Sequence, residues 1–283
     1  MLEAPNRPVI VAAIQMTSVD DVQANLTSAG NLLARAAAGG AQLAVLPENF
    51  SFMGAHERAK LELAEDDGTG PIQAFLAETA ARLSIAIVAG TVPLRVPGDS
   101  DHVFAASLVY DRHGARVARY DKIHLFDVDV AEGAQAATRY RESATIARGL
   151  PQAAAAELPM GRVGLSVCYD LRFPELYRGL AALGSRLVTV PSAFTEKTGE
   201  AHWSVLLRAR AIENQFFVIA PNQSGSHPGS RRTWGHSMIV DPWGAILAES
   251  AVEGPDVVLA EVDPGRIDAL RASFPVMSHR RLS

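Results

Sequence analysis

The chain contains a single cysteine, Cys168, among 283 residues, so no internal disulfide can form and no Cys-rich zinc site can be built. Its eight histidines form no HExxH pair, which leaves little support for a metalloenzyme. No apolar run approaches the roughly 18 residues that a membrane-spanning helix requires. Lys and Arg are scattered instead of gathered into a basic stripe, and the formal net charge is −5. A nucleic-acid partner is therefore not expected. The first strand-like run begins at Pro8, leaving little chain for a leader, and no cationic start with an apolar core precedes it. The expectation is a cytoplasmic protein that binds a small molecule and needs no metal or cofactor.

What is present suits a globular enzyme: 48% hydrophobic and 20% charged residues. Short apolar runs at 8–15, 42–46, 85–90, 103–110, 115–120, 163–168, 186–190, 216–221, 237–241, 245–248 and 256–262 read as strands. Helical spacing covers 20–38, 72–83, 175–182, 201–214 and 264–272. Asp111-Arg-His-Gly114 and Asp241-Pro-Trp-Gly244 read as hairpin loops, which makes their flanking strands antiparallel. Strands outnumber helices, so stacked mixed sheets with helices outside fit better than a barrel of βα units. The Ala-rich stretches 35–41 and 153–156 read as helix and loop filler. With no repeat or linker, residues 1–283 are expected to form one domain.

Three polar residues stand at strand ends. Cys168 follows Val163-Gly-Leu-Ser-Val167 and precedes a turn into a helix, where backbone amides can face a reacting centre. A buried structural thiol is the bland alternative. Glu48 ends Leu43-Ala-Val-Leu-Pro-Glu48, and a carboxylate against such a run is costly unless paired or used. A helix cap or surface acid would also satisfy the pattern. Lys122 follows the strand 115–120, where a solvated lysine is the ordinary reading. The pattern places all three at strand ends without showing that they meet.

Taken together, these segments resemble the nitrilase superfamily of carbon–nitrogen hydrolases, from Val9 to about Arg281. Its Glu–Lys–Cys signatures appear here in order as Leu-Pro-Glu48-Asn, Tyr-Asp-Lys122-Ile-His-Leu-Phe and Gly-Leu-Ser-Val-Cys168-Tyr-Asp-Leu-Arg-Phe-Pro-Glu. Pro191-Ser-Ala-Phe-Thr, Gly199-Glu-Ala-His-Trp203, Leu206-Leu-Arg-Ala-Arg-Ala-Ile-Glu213-Asn and Trp234-Gly-His-Ser-Met-Ile-Val-Asp-Pro-Trp-Gly244 look like the branch of amidases acting on α-keto acid amides. The resemblance implies a four-layer α-β-β-α sandwich of two mixed β-sheets flanked by helices, and a homodimer or higher homo-oligomer. It implies deaminated glutathione or α-ketoglutaramate as substrate, and the loop from Asn222 to Thr233 looks more like the former group. Nitriles and N-carbamyl amino acids stay open on the triad alone.

The implied chemistry is a thioester on Cys168, with Glu48 moving the proton. Lys122 and the backbone N–H of Tyr169 would meet the oxyanion. The second glutamate of the family is matched by Glu142, in a loop expected from Asp127 to Arg141; a loop surface acid is the competing reading. Arg172, four residues past the cysteine, is expected to bind a substrate carboxylate, against a local pair with Glu175 or Asp170. Phe194 and Thr195 are expected to line the pocket. Glu213 is expected to be buried beside Arg208 or Arg210, and Trp203, Leu206 and Leu207 to be core. Two competing classes remain: a Cys–His hydrolase using His124 or His236, and a binding protein without catalysis.

Overall fold

The computed structural model describes residues 7–56, 58–132 and 135–281. The ends of the expected 1–283 domain, residues 1–6 and 282–283, lie outside the described residues. Two mixed sheets dominate. The first has eight strands, with Asp256–Val262, Val9–Gln15, Ala41–Val45, Ala86–Val88, Asp99–Tyr110 and Val92–Val96 in spatial order; Arg116–Asp121 and Ile146–Ala147 pair with the long strand Asp99–Tyr110. The second has six, ordered Ala154–Leu158, Gly161–Leu165, Leu187–Thr189, Phe217–Ala220, Met238–Val240 and Ile246–Glu249. Each holds three neighbouring parallel strands flanked by antiparallel ones.

Side-chain alternation explains the stacking. Along Val9–Gln15, Val9, Val11 and Ala13 join the core shared with the second sheet, whereas Ala12 and Ile14 join the core under the helices Val22–Ala38 and Pro71–Leu83. Leu43 and Val45 likewise face the partner sheet, and Ala44 and Leu46 face the helices. Neighbouring residues of a strand point to opposite faces, so a sheet covered on both sides must be apolar at every position. On the far side, Leu176, Tyr177 and Leu180 of Pro174–Ala182, and Trp203, Leu207 and Ala211 of Glu196–Asn214, cover the second sheet. The result is the expected α-β-β-α order of layers. Trp203 and Leu207 are core as expected, and Leu206 is half-buried against it.

Several local expectations are corrected. Where a loop is expected from Asp127 to Arg141, Asp127–Glu132 and Gln135–Arg141 pair as antiparallel strands. Residues 153–156 contribute to the edge strand Ala154–Leu158, not filler. The strand Val92–Val96 was missed altogether because it contains Pro93; an edge position tolerates the missing N–H. The helix expected at 201–214 starts at Glu196, where Thr195 caps it by accepting from the backbone N–H of Thr198. Both expected hairpin loops form, with Asp111 N–H donating to Ala115 O and Asp241 N–H to Ala245 O, each at 2.9 Å. Among the described residues no helix is long and apolar enough to cross a membrane.

Candidate active site

The first sheet delivers two charged side chains. Past Val45 the chain leaves its strand, and Asn49 takes a left-handed φ of 59° while its N–H donates to Thr91 Oγ1 at 2.8 Å. Gly90 packs against this bend so closely that a Cβ there would fall 2.0 Å from the carbonyl oxygen of Pro47. From the loop after Phe217–Ala220, the buried amide of Gln223 donates to the Glu48 carbonyl at 3.0 Å and to Ser18 Oγ at 2.8 Å. Glu48 is thereby held facing inward. Lys122 directly follows the strand Arg116–Asp121, its N–H donating to Ala105 O at 3.1 Å and its carbonyl accepting from Gly149 N–H at 3.0 Å.

The second sheet delivers the thiol. Cys168 opens a 3-10 turn, Cys168–Arg172, with a left-handed φ of 49° and its N–H donating to Pro191 O at 2.9 Å. A non-glycine residue in that conformation is strained and must be held by its surroundings.

The three groups meet. Lys122 Nζ donates to Glu48 Oε1 at 2.7 Å and to both oxygens of Glu142 at 2.8 and 2.9 Å. Glu142, in the turn after the hairpin, also accepts from Phe126 N–H at 2.7 Å. Glu48, Lys122 and the Ala193 N–H all act on the Cys168 thiol. Lys122 is 1% exposed, a burial that only its carboxylate partners make tolerable. Burial opposes its charge, but Glu142 and Glu48 overcome this and hold the ammonium well above its ordinary range. Burial likewise raises Glu48, yet Lys122 outweighs it by charge and hydrogen bond, so the carboxyl ends below its ordinary value. For Cys168, burial and the Glu48 charge together outweigh Lys122, and the thiol is pushed well up. The resting site is a protonated thiol beside an ionised carboxylate.

These side chains form the floor of an open cavity of about 930 Å³. Phe194 and Thr195 line it, as do Tyr169 and Arg172. Arg172 lies over the rings of Tyr169 and Phe194, 5.8 and 5.4 Å from their centroids, and approaches His202 Nδ1 at 3.3 Å. Among the described residues no carboxylate pairs with it, so the local partners Glu175 and Asp170 are not used. Arg139, Arg141, Arg231, Arg232, Lys60 and Lys197 also line the cavity, against the acids Glu196 and Glu200 toward the rim.

His124 and His236 do not serve the thiol. The first bonds Asp170 Oδ1 at 2.7 Å, the second bonds Glu249 at 2.7 Å, and neither lines the cavity. Glu213 is half-buried and pairs with Arg210 at 3.0 Å and Arg178 at 3.7 Å; Arg208 instead donates to the Gly244 carbonyl. Two supports escaped the sequence reading. Asn222, which accepts from Phe194 N–H and donates to the Gly235 carbonyl, and Gln223 appeared only as part of a branch-typical loop. Their signal is a pair of amides directly after a buried strand, a placement that costs stability unless both are hydrogen-bonded. Among the described residues no cluster of three His, Cys, Asp or Glu could hold a metal ion.

Comparison with known proteins agrees with this geometry. The carbon–nitrogen hydrolase family model matches residues 10–272. The deaminated glutathione amidase of Synechocystis sp. (strain PCC 6803 / GT-S) is 44% identical over 276 residues, spanning 97% of this chain and 98% of that protein. The crystal structure of the Caenorhabditis elegans NitFhit protein matches with a TM-score of 0.88 at 39% identity, covering 97% of this chain and 65% of that longer one. An amidase from Nesterenkonia sp. AN1, solved with acrylamide added at its active-site cysteine, matches with a TM-score of 0.76 at 28% identity, covering 94% of this chain and 98% of that one. The chain belongs to the carbon–nitrogen hydrolase family and is an amide-hydrolysing enzyme.

Proposed function

We propose that the chain hydrolyses a small α-keto acid amide through a Cys168 thioester, with deaminated glutathione as the substrate that fits best. Glu48 takes the thiol proton as sulfur attacks the amide carbon, and the oxyanion is met by Lys122 and the backbone N–H of Tyr169. Such donors contribute about 3–4 kcal/mol each to the transition state. Glu48 returns the proton to the leaving amine, then activates the water that cleaves the thioester. Glu142 keeps Lys122 charged and aimed.

The observation that carries the substrate class is Arg172, a guanidinium in the cavity with no carboxylate partner among the described residues, one turn from the nucleophile. It suits the α-keto carboxylate at the far end of the substrate's acyl chain, which it can bind bidentately. The volume supports a substrate with a dipeptide leaving group, since pockets of about 300–1,000 Å³ hold ligands well beyond a five-carbon acid. Hydrolysis would give α-ketoglutarate and Cys-Gly, whereas α-ketoglutaramate, the smaller alternative, would release ammonia.

The test compares kcat/KM on deaminated glutathione, α-ketoglutaramate and N-carbamyl-β-alanine, with Cys168→Ala as control. A clear preference for the first, lost in the control, supports the reading. Preference for α-ketoglutaramate keeps the mechanism and changes the substrate; no turnover of any would sink the reading.

The proposal extends to a homodimer in the cytoplasm. Val205 and Ile212 lie two turns apart on one face of Glu196–Asn214, and are 67% and 47% exposed. Ile212 packs near Gly244, and Trp243 meets Phe274 at 5.8 Å, extending one apolar surface that a second copy could cover. Light scattering after size exclusion, on wild type and Val205→Glu, tests it; a monomeric wild type contradicts the dimer.

A further inference from the structure

Asp170, in sequence a candidate local partner for Arg172, takes no part in the proposed chemistry. It is fully buried and does not line the cavity. Its carboxylate nevertheless accepts four hydrogen bonds. Oδ2 takes Val167 N–H at 2.8 Å and Tyr120 Oη–H at 2.7 Å, and Oδ1 takes His124 N–H at 3.2 Å and His124 Nδ1 at 2.7 Å. The imidazole proton must therefore sit on Nδ1, and the ring is stacked flat on Phe173 at 3.8 Å.

The placement of these donors carries the argument. Tyr120 and His124 stand two residues either side of Lys122. Val167 and Asp170 bracket Cys168. One carboxylate thus ties both flanks of the lysine to both flanks of the nucleophile, across the junction between the sheets. We propose that Asp170 is a positioning residue that fixes the separation of Lys122 and Cys168 and holds Cys168 in its left-handed conformation. All of its lone-pair directions are filled, so the carboxylate has no slack. Burial and the Asp170 charge push the Tyr120 phenol far above its ordinary range, so Tyr120 stays a donor at every working pH. The residue acts through its neighbours and does not touch substrate.

This inference rests on Cys168 and Lys122 acting as proposed above. Asp170→Asn breaks all four contacts together and endangers the fold, so Tyr120→Phe and His124→Leu carry the test. Each is assayed for kcat, KM, melting temperature and the rate of Cys168 alkylation by iodoacetamide. Displacing a reacting group by about 1 Å costs on the order of 100-fold in rate. Each variant is therefore expected to lose about 10–100-fold in kcat, with KM held within about threefold and an altered alkylation rate. His124→Asn, whose amide can replace the Nδ1 donor, is expected to recover most of the loss. Wild-type kcat in both single variants would overturn the proposal. So would a loss that tracks melting temperature and disappears on cooling, or a His124→Asn variant no better than His124→Leu. Turnover surviving in Cys168→Ala would instead overturn the assignment of the nucleophile.

Discussion

Glu48 accepts from Lys122 Nζ at 2.7 Å, and the charge of the same carboxylate bears on the Cys168 thiol. Carboxylate and thiol are in opposition until substrate arrives. The negative charge that is proposed to take the proton also discourages the thiol from releasing it early. The resting enzyme is spared a free thiolate, and proton transfer is tied to attack on a bound carbonyl.

Replacing Glu48 with Gln is expected to separate thiol reactivity from turnover. Loss of the general base should lower kcat by about 100–10,000-fold. Loss of its charge removes a cause of the raised thiol pKa while Lys122 stays beside the sulfur. Alkylation of Cys168 by iodoacetamide at pH 7.5 should therefore become faster than in wild type. Unchanged or slower alkylation would contradict the electrostatic account.

Lys122→Met is expected to destabilise the fold as well as stop catalysis. It leaves Glu48 and Glu142 facing one another without a cation, and breaking a buried pair from one side typically costs about 3–5 kcal/mol. The orphaned carboxyls should titrate above their unfolded values, so the folded variant binds more protons than its unfolded chain. Its deficit should shrink as pH falls from 7 toward 5, opposite to acid destabilisation. Urea melts of variant and wild type at both pH values decide this.

Arg172→Ala should separate binding from chemistry. If the guanidinium holds a substrate carboxylate, its loss raises KM for α-keto acid amides by about 10–100-fold, the scale of a charged hydrogen bond. Turnover of a simple uncharged amide should hardly change. Equal loss on both substrates would assign Arg172 to the architecture of the turn.

His227 supplies an acid-sensitive point away from the chemistry. It is buried, with Nδ1 2.8 Å from the Ser18 carbonyl and Nε2 2.7 Å from Thr233 Oγ1. Burial, helped by the nearby Arg231 charge, lowers its pKa below the ordinary 6.5. Above 6.5 both folded and unfolded forms are neutral and stability is unaffected. As pH falls through 6.5 the unfolded chain takes up a proton first, so stability declines until the folded pKa is passed. The melting temperature of wild type should drop more between pH 7 and 5.5 than that of His227→Gln.

Much of this site was legible because strands expose their ends. Glu48 and Cys168 each interrupt an apolar run, Lys122 follows an alternating strand, and the strand fixes where each residue emerges. Glu142 is harder, since the stretch before it reads as a loop. Its alternation, Asp127-Val-Asp-Val130, carries the period of a strand, but so short a run gives a weak signal. The polar first turn of the helix from Glu196, Glu196-Lys-Thr-Gly-Glu200, hid its start because no apolar stripe begins there. Asp170 was illegible for a different reason. Its role depends on donors fifty residues earlier, and nothing in its neighbourhood names them.

The junction between the sheets has one more consequence. Glu48 and Lys122 are carried by one sheet and Cys168 by the other, so neither sheet alone holds a working set. A partly folded chain presents an ion pair without a nucleophile, or a thiol without its base. On the proposed roles, hydrolytic power arrives only when the two halves dock, and the newly made chain is harmless to surrounding amides until its own interior has closed.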